Sequence, residues 1–549
     1  MKYLLWLSTL LLFAACHKAP ETVIQPWLPY DESAMIGANA DHESERMRFK
    51  LIQSRVRDRN DLWQQVGDQI KEFSEQDYEA LKSMILEQDI PTIQGHIETG
   101  RLTYELLTQW YLYRIVKFEN DSAKTLNCII SINPNAVEEA KRLDQEKPEL
   151  YHPIYGMPVL LKDNVNAEGM ATTAGAHILL DNTPDDAFIT ARIREKGGII
   201  LGKTSLSEWA NFMCLGCPNG WSAVGGQTLN PYGRGVHDTG GSSSGSGAAM
   251  AANYAAAAVG SETSGSILSP SSGNSLVGLK PTIGLLSRGG VVPISSTLDT
   301  PGPMTKSVLD NAILLDAMTG QDEEDPATAA APTDADYLFD PNQATLEGLR
   351  FGALKRFLED SVYRLTVGRL EKLGATVVQC EGDAVQLEGF GDLLRADMRL
   401  DLAAYFERYT SENISAKTVN DVLAFNQVDS ASSMPYGQGR IAGVLDVDLT
   451  AEELVELRRV LQDTARYYFD RYMDTLDLDG ILAINNYGAG YAAAAKYPCL
   501  TVPMGYEEGG RPMGITFIAK PFEEDKLLKW GYAFELATAI RKMPVGYDE

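Results

Sequence analysis

The chain has 549 residues, 44% of them hydrophobic and 22% charged, and a formal net charge of −27. That apolar mass suffices for a large folded core and excludes a disordered polar chain. The negative charge would repel a phosphate backbone, so nucleic-acid binding is not expected.

The first residues, MKYLLWLSTLLLFAAC, hold one basic residue, Lys2, then an apolar run from Tyr3 to Phe13 and Ala14-Ala15-Cys16. The run is short for a stable membrane span but suits the apolar region of a signal peptide. Ala14-Ala15-Cys16 resembles a bacterial lipoprotein cleavage site, although Phe13 stands where leucine is usual. The expectation is a signal peptide over 1–15, a lipidated Cys16 and a tether over 16–43. This places the protein in the bacterial cell envelope, held to the membrane only through that lipid. A plain secreted, soluble protein is the alternative.

Residues 44–118 read as helical, with Leu106, Trp110 and Tyr113 at three- to four-residue spacing. Besides Cys16 there are five cysteines: Cys128, Cys214, Cys217, Cys380 and Cys499. An odd number argues against a full disulfide framework. Cys214-Leu-Gly-Cys217 has redox or zinc spacing, but no second CxxC or paired histidines accompany it, so an incidental pair is expected rather than a metal site.

From YGMPVLLKDN the texture changes, with a continuous apolar run from Met157 to Leu161 that ends in Lys162. A helix-like stretch over 186–196 and a second apolar run, GGIILGKTS, follow. Strand, helix, strand at this spacing predicts α/β architecture with buried strands. Residues 248–260, AAMAANYAAAAVG, predict a closely packed helix from their alanine content. Residues 320–347 are acidic and rich in Pro and Ala and read as a surface connection. Strand patterns resume at LRFGAL and GATVVQC, helices are expected over 389–476, and DGILAINN opens a final α/β stretch. One large domain over 44–549 with a helical insertion accounts for this order.

Two Gly/Ser-rich segments, GGSSSGSGAAMAAN (240–253) and SETSGSILSPSS (261–272), flank the alanine-rich stretch. A flexible linker has no reason to run into a buried helix, so each reads as a turn where free N–H groups favour developing negative charge. Neither segment carries the Gly-Lys-Ser/Thr triplet that a phosphate loop needs at the start of its helix. Gly241 to Gly245 formally match G-x-S-x-G, whose triad needs a later acid and then a histidine. All six histidines (His17, His42, His96, His152, His177 and His237) precede Ser243, which excludes it. No lysine has a serine three residues before it, so the S-x-x-K arrangement is excluded too. What remains is a serine served by a lysine of lowered pKa. Lys162, Lys203 and Lys280 all follow apolar stretches, and the residues alone do not choose among them. Each taken singly reads as a strand-end lysine reaching solvent.

In order, IYGMPVLLKDN, TTAGA, ILGKTSLSEWANF, GGSSSGSGAA, GSETSGSILSPSS, GLKPTIGLLSRGG, DTPGPMTKSV and AAAAKYPCLTVPMGYEEGGRPMGITFIAK are similar to the motifs of the amidase signature family. The resemblance covers about residues 88 to 545. It implies an α/β fold, a single large domain whose central mixed twisted sheet is covered by helices on both faces. It implies amide or ester hydrolysis by a Ser–Ser–Lys triad, with no metal and no cofactor. By motif, Lys162 corresponds to the general base and Ser242 to the bridging serine, preceded by a cis peptide. Ser266, 24 residues on, corresponds to the acyl-forming nucleophile, and the backbone N–H groups of Thr263, Ser264, Gly265 and Ser266 to the oxyanion hole. The frequent second turn is Asp-Thr-Gly-Gly-Ser-Ile-Arg; here Glu262-Thr263-Ser264-Gly265-Ser266-Ile267-Leu268 loses the arginine. This variant, with NGWSAVGGQ before it, resembles the peptide amidase branch, which deamidates C-terminally amidated peptides. The implied partner is therefore a peptide amide or similar small-molecule amide, with fatty-acid or aryl amides as the alternative. A non-catalytic binding lipoprotein on the same fold is the rival of a different class. All three triad positions are filled, which argues against it.

Overall fold

The computed structural model describes residues 22–333, 336–382 and 385–549. The expected signal peptide and the Cys16 lipidation site lie outside the described residues.

One mixed sheet organises the chain. Its strands are β1 (Ile129–Ile132), β2 (Pro158–Lys162), β3 (Ile199–Thr204), β6 (Ala257–Glu262), β7 (Val277–Lys280), β8 (Thr300–Thr305), β9 (Arg350–Leu354), β10 (Thr376–Cys380), β11 (Gly480–Ile484), β12 (Cys499–Tyr506) and β13 (Pro512–Ile518); β4 (Trp221–Ser222) and β5 (Gly226–Gln227) form a separate small hairpin. The order across the sheet is β1-β3-β2-β6-β8-β7-β12-β13-β11-β9-β10. β2 pairs parallel with both β3 and β6, whereas β6 pairs antiparallel with β8. Every residue of β2, β3 and β6 is buried, as continuous apolar strands require when helices cover both faces. The edge strand β10 is only partly buried, with Thr376 and Gln379 exposed and Cys380 buried.

The alanine-rich stretch divides differently from its propensity. A helix occupies only Ser244–Ala251, and Ala257, Ala258, Val259 and Gly260 enter strand β6 instead. Tertiary packing overrides alanine's preference here, because the strand runs between two neighbours with little room on either face. A Cβ on Gly260 would lie 2.6 Å from Met304 Sδ and 3.0 Å from Ser243 Oγ. The two Gly/Ser turns thus flank a helix and a strand, which brings both to the same end of the sheet.

Residues 22–43, expected within a tether, pack on the body. Trp27 is buried, its amide donates to Asn60 Oδ1 (2.7 Å), and the Arg59 guanidinium lies over its ring at 4.7 Å. A tryptophan offers more area to bury than a solvated tether can leave exposed. Over 320–347 the chain makes short 3-10 turns at Pro326–Ala330 and Pro341–Gln343, and Asp325 forms an ion pair with Arg288. Over 389–476 lie the helices Phe390–Arg408, Val419–Val428 and Ala451–Met473. The first of these builds a second apolar cluster, in which Met398, Leu402, Tyr405 and Phe406 meet Trp209, Phe212, Val292 and Ile294. No described helix is long and apolar enough to cross a membrane.

Candidate active site

Lys162 closes β2, opposite Thr204 of β3 and beside β6. Its side chain is fully buried, and Nζ donates to Ser242 Oγ (2.8 Å), Ser261 Oγ (2.9 Å) and Ser261 O (3.2 Å). Asn164 Nδ2 donates to the same Ser261 hydroxyl at 2.9 Å and so orients it. Among the described residues no carboxylate touches the amine. Burial pushes the Lys162 pKa down to about 7, against the upward pull of Asp299 and, less, of Glu262.

The residues alone left three lysines open, each read singly as reaching solvent, and the family resemblance pointed to Lys162; all three are wholly buried. Lys203 donates to Thr172 Oγ1 (2.8 Å) and forms an ion pair with Asp163 Oδ1 (3.3 Å). Lys280 donates to Pro281 O at 2.9 Å. Burial lowers the pKa of both, but the structure brings only Lys162 to a serine of the Gly/Ser turns.

In the first turn each serine has its own contact. The Gly241–Ser242 peptide is cis, and the Ser242 carbonyl accepts from the Ser207 amide at 3.0 Å. Ser243 Oγ donates to Ser261 O (3.0 Å) and accepts from Ser261 N (3.2 Å), stapling the turn to β6. Ser244 Oγ turns back to Gly240 O at 2.6 Å. Glycine is required beside them. Gly240 has φ +71°, and a Cβ there would meet Pro270 Cα at 2.7 Å.

The second turn is gathered on one carboxylate. Glu262 accepts from the amides of Gly265 (2.6 Å), Ile267 (2.7 Å) and Leu268 (3.0 Å), and burial raises its pKa above the usual carboxylate range. Thr263 Oγ1 donates to Asp299 (2.5 Å), which also accepts the amides of Ile294 and Ser295; burial pushes Asp299 up to about 6. The turns are joined through backbone, Ser243 N to Ser266 O at 3.2 Å. The Ser266 hydroxyl has no hydrogen-bond partner among the described residues. One of the four expected oxyanion donors is already committed: the Gly265 amide points at Glu262 rather than away from it. Its left-handed φ of +93° sets that direction.

Trp209, Ala210 and Asn211 are three consecutive residues in the left-handed region, with φ of 49°, 54° and 74°. Such a run in non-glycine residues costs backbone strain that the surrounding packing must hold. Asn211 Nδ2 donates to Asn219 Oδ1 (3.2 Å), and the Asn211 carbonyl accepts from Arg440 (2.8 Å). Ala210 lines a small cavity with Asn164, Ser261, Thr263 and Asp299, beside the lysine–serine pair. Sequence reasoning assigned no role to Ser261, Asn164, Asp299 or the Glu262 clamp. Asp299 did stand inside the DTPGPMTKSV motif, and Glu262 was visible as a departure within the second turn. Cys214 and Cys217 are joined as a disulfide, while Cys128, Cys380 and Cys499 are free and buried. Among the described residues no cluster of His, Cys, Asp or Glu is arranged to hold a metal ion.

A mixed sheet flanked by helices thus carries a buried lysine on a serine hydroxyl where two Gly/Ser turns meet, an arrangement able to activate a hydroxyl for hydrolysis. The Amidase family model matches residues 107–483. An Arabidopsis thaliana protein named as a probable amidase is 36% identical over 486 residues, 84% of this chain and 92% of its own length. Among solved structures, an amidase family protein from Bacillus anthracis superposes with a TM-score of 0.83 at 35% identity, covering 88% of this chain and 97% of its own. The peptide amidase of Stenotrophomonas maltophilia gives a TM-score of 0.78 at 37% identity, covering 84% and 98%. The chain belongs to the amidase signature family and is an amidase, a hydrolase of carboxamide C–N bonds.

Proposed function

We propose that this amidase cleaves peptide amides or similar small amides with Ser266 as nucleophile, Ser242 as relay and Lys162 as base. The observation that carries the assignment is the 2.8 Å contact between a buried Lys162 of pKa about 7 and Ser242 Oγ. A neutral lysine accepts the Ser242 proton while Ser242 accepts that of Ser266. The Ser266 oxygen then bonds to the amide carbon, and negative charge collects on the former carbonyl oxygen. Backbone N–H groups of Thr263, Ser264 and Ser266 are the donors we assign to that oxyanion, each contributing about 3–4 kcal/mol when well placed. The relay returns a proton to the amide nitrogen, the C–N bond breaks, and amine leaves. Water, deprotonated through the same pair, opens the acyl-enzyme to the carboxylic acid.

The preference for peptide amides rests on the similarity to a peptide amidase and on the Glu262-Thr263-Ser264-Gly265-Ser266 variant. A fluorophosphonate probe tests the nucleophile. Labelling of the native protein and none of Ser266→Ala is expected; equal labelling of both sinks the assignment. A panel holding a C-terminal peptide amide, a long-chain fatty amide and an aryl amide tests the substrate.

We further propose an envelope location through lipidation at Cys16, supported by the leader MKYLLWLSTLLLFAAC. Radiolabelled palmitate should enter the native chain in bacteria and not Cys16→Ser; equal incorporation overturns it.

A further inference from the structure

Asp299 immediately precedes β8, and the register that pairs Thr300 with Glu262 sets it beside Thr263, the first residue after β6. Both residues are buried, and Thr263 Oγ1 donates to Asp299 Oδ1 at 2.5 Å. The other oxygen, Oδ2, accepts from the amides of Ile294 (2.7 Å) and Ser295 (2.9 Å). One carboxylate thus meets three donors from two segments of the chain. A carboxamide of the same shape would turn an NH2 group towards one of those donors. Hydrogen bonds to an ionised acceptor are also about twice as strong as neutral ones.

Behind Asp299 the contacts run away from the site. Ser295 Oγ donates to Asp397 Oδ2 (2.5 Å), and Arg458 Nη2 donates to Asp397 Oδ1 (2.6 Å). The second Gly/Ser turn is therefore tied, through Thr263, to the helices Phe390–Arg408 and Ala451–Met473. On its other side Asp299 lines the small cavity with Ser261, which accepts from Lys162, and Asn164, which donates to that serine. The charged groups nearby are already matched. Arg288 is paired with Asp325, Asp401 accepts the Ser296 amide (2.5 Å), Glu262 holds the amides of its own turn, and Asp163 is paired with Lys203. Further out, Glu324 accepts from the Tyr409 hydroxyl (3.1 Å) and Arg408 is exposed. Burial lowers the Lys162 pKa, and of the two carboxylates that pull it back up Asp299 acts more strongly than Glu262.

We propose that Asp299 is a positioning residue for amide hydrolysis: by holding the Thr263 hydroxyl it fixes the turn that carries the Thr263, Ser264 and Ser266 amides, and its charge acts on the base from across the small cavity. This rests on the Ser266–Ser242–Lys162 reading and adds to it the group that keeps the oxyanion donors and the lysine in step.

The test compares Asp299→Asn, Thr263→Val and Asp397→Asn with the native enzyme on the best amide across the pH range. Asp299→Asn should lose at least about tenfold in kcat while KM changes less than about twofold, as for contacts made only in the transition state. The midpoint of its kcat/KM limb should fall by roughly half a unit or more, because a negative charge that favours protonated lysine is gone. Thr263→Val keeps that charge, so it should lose kcat and hold the native midpoint. Asp397→Asn, one link further out, should lower the melting temperature and leave the midpoint in place. A native kcat in Thr263→Val, or an unmoved midpoint in folded Asp299→Asn, overturns the proposal. If Asp299→Asn does not fold, Thr263→Val decides alone. A native profile with no limb refutes the Lys162 reading instead, and the kcat of Thr263→Val still decides the positioning.

Discussion

Lys162 Nζ and Ser242 Oγ meet at 2.8 Å inside a shell that excludes water from both side chains. With the lysine pKa near 7, its neutral fraction grows tenfold per pH unit below that value and saturates above it. The pH profile of kcat/KM should therefore show one rising limb with a midpoint near 7. Lys162→Ala should lower kcat at least about a thousandfold. A profile flat from pH 5 to 9 would exclude lysine as the base.

The same shift has a consequence for stability. The folded pKa of Lys162 lies below its ordinary value of 10.5, so the unfolded chain binds more protons between about pH 7 and 10.5. Its contribution to stability is least favourable below pH 7 and improves as pH rises through that window. Lys162→Met should be inactive yet melt no lower than the native protein at pH 6. Its stability should also rise less steeply above pH 7. A large loss of stability at pH 6 would contradict this.

Lys203 should behave differently. Its ion pair with Asp163 is wholly buried, and removing one partner leaves a charge uncompensated, at about 3–5 kcal/mol. Lys203→Ala should lose stability by that order in urea melts, and the fraction that folds should still label with fluorophosphonate. Full stability with lost labelling would reverse the two lysine assignments.

Neighbouring serines should separate by readout. Ser242→Ala should fold and lose roughly 10²–10⁴ in kcat, as expected for a lost proton carrier. Ser243→Ala loses two hydrogen bonds to Ser261, roughly 1–2 kcal/mol of stability, and should keep most activity. The opposite ranking would make Ser243 the relay.

Glycines of the first turn can be tested against a control. Alanine at 245 would put Cβ 2.3 Å from Ser205 O and 2.8 Å from Cys128 O, both backbone atoms that cannot give way. Gly245→Ala should lose more than about 3 kcal/mol or fail to fold. Gly37, in the helix Ser33–Asn39, meets nothing within 4 Å, and Gly37→Ala should gain roughly 0.5–1 kcal/mol. Equal melting temperatures for the two variants would contradict the packing described.

Much of the frame was legible because buried strands announce themselves as apolar runs: PVLLK, IILGKT and GILAI all became fully buried, non-edge strands. The alanine-rich stretch was misread beyond Ala251. Alanine favours helix locally, and the narrow slot between β2 and β8 that turns Ala257–Glu262 into a strand is a property of residues far away in sequence. Trp27 was read as part of a tether for a similar reason. Its partners, Asn60 and Arg59, lie some thirty residues on.

By itself the sequence determined the residue types available for chemistry. The order of its histidines excluded a Ser–acid–His triad, and its ordered motifs identified the family and named Lys162, Ser242 and Ser266 as candidates. Tertiary structure decided which of three buried lysines touches a serine, and made Ser243 a staple beside Ser242. It also gathered Glu262, Asp299, Ser261 and Asn164 around them. The reason is physical. A hydroxyl's role depends on the group it faces across strands, and burial, which lowers the Lys162 pKa, is produced by the whole fold rather than by any one motif.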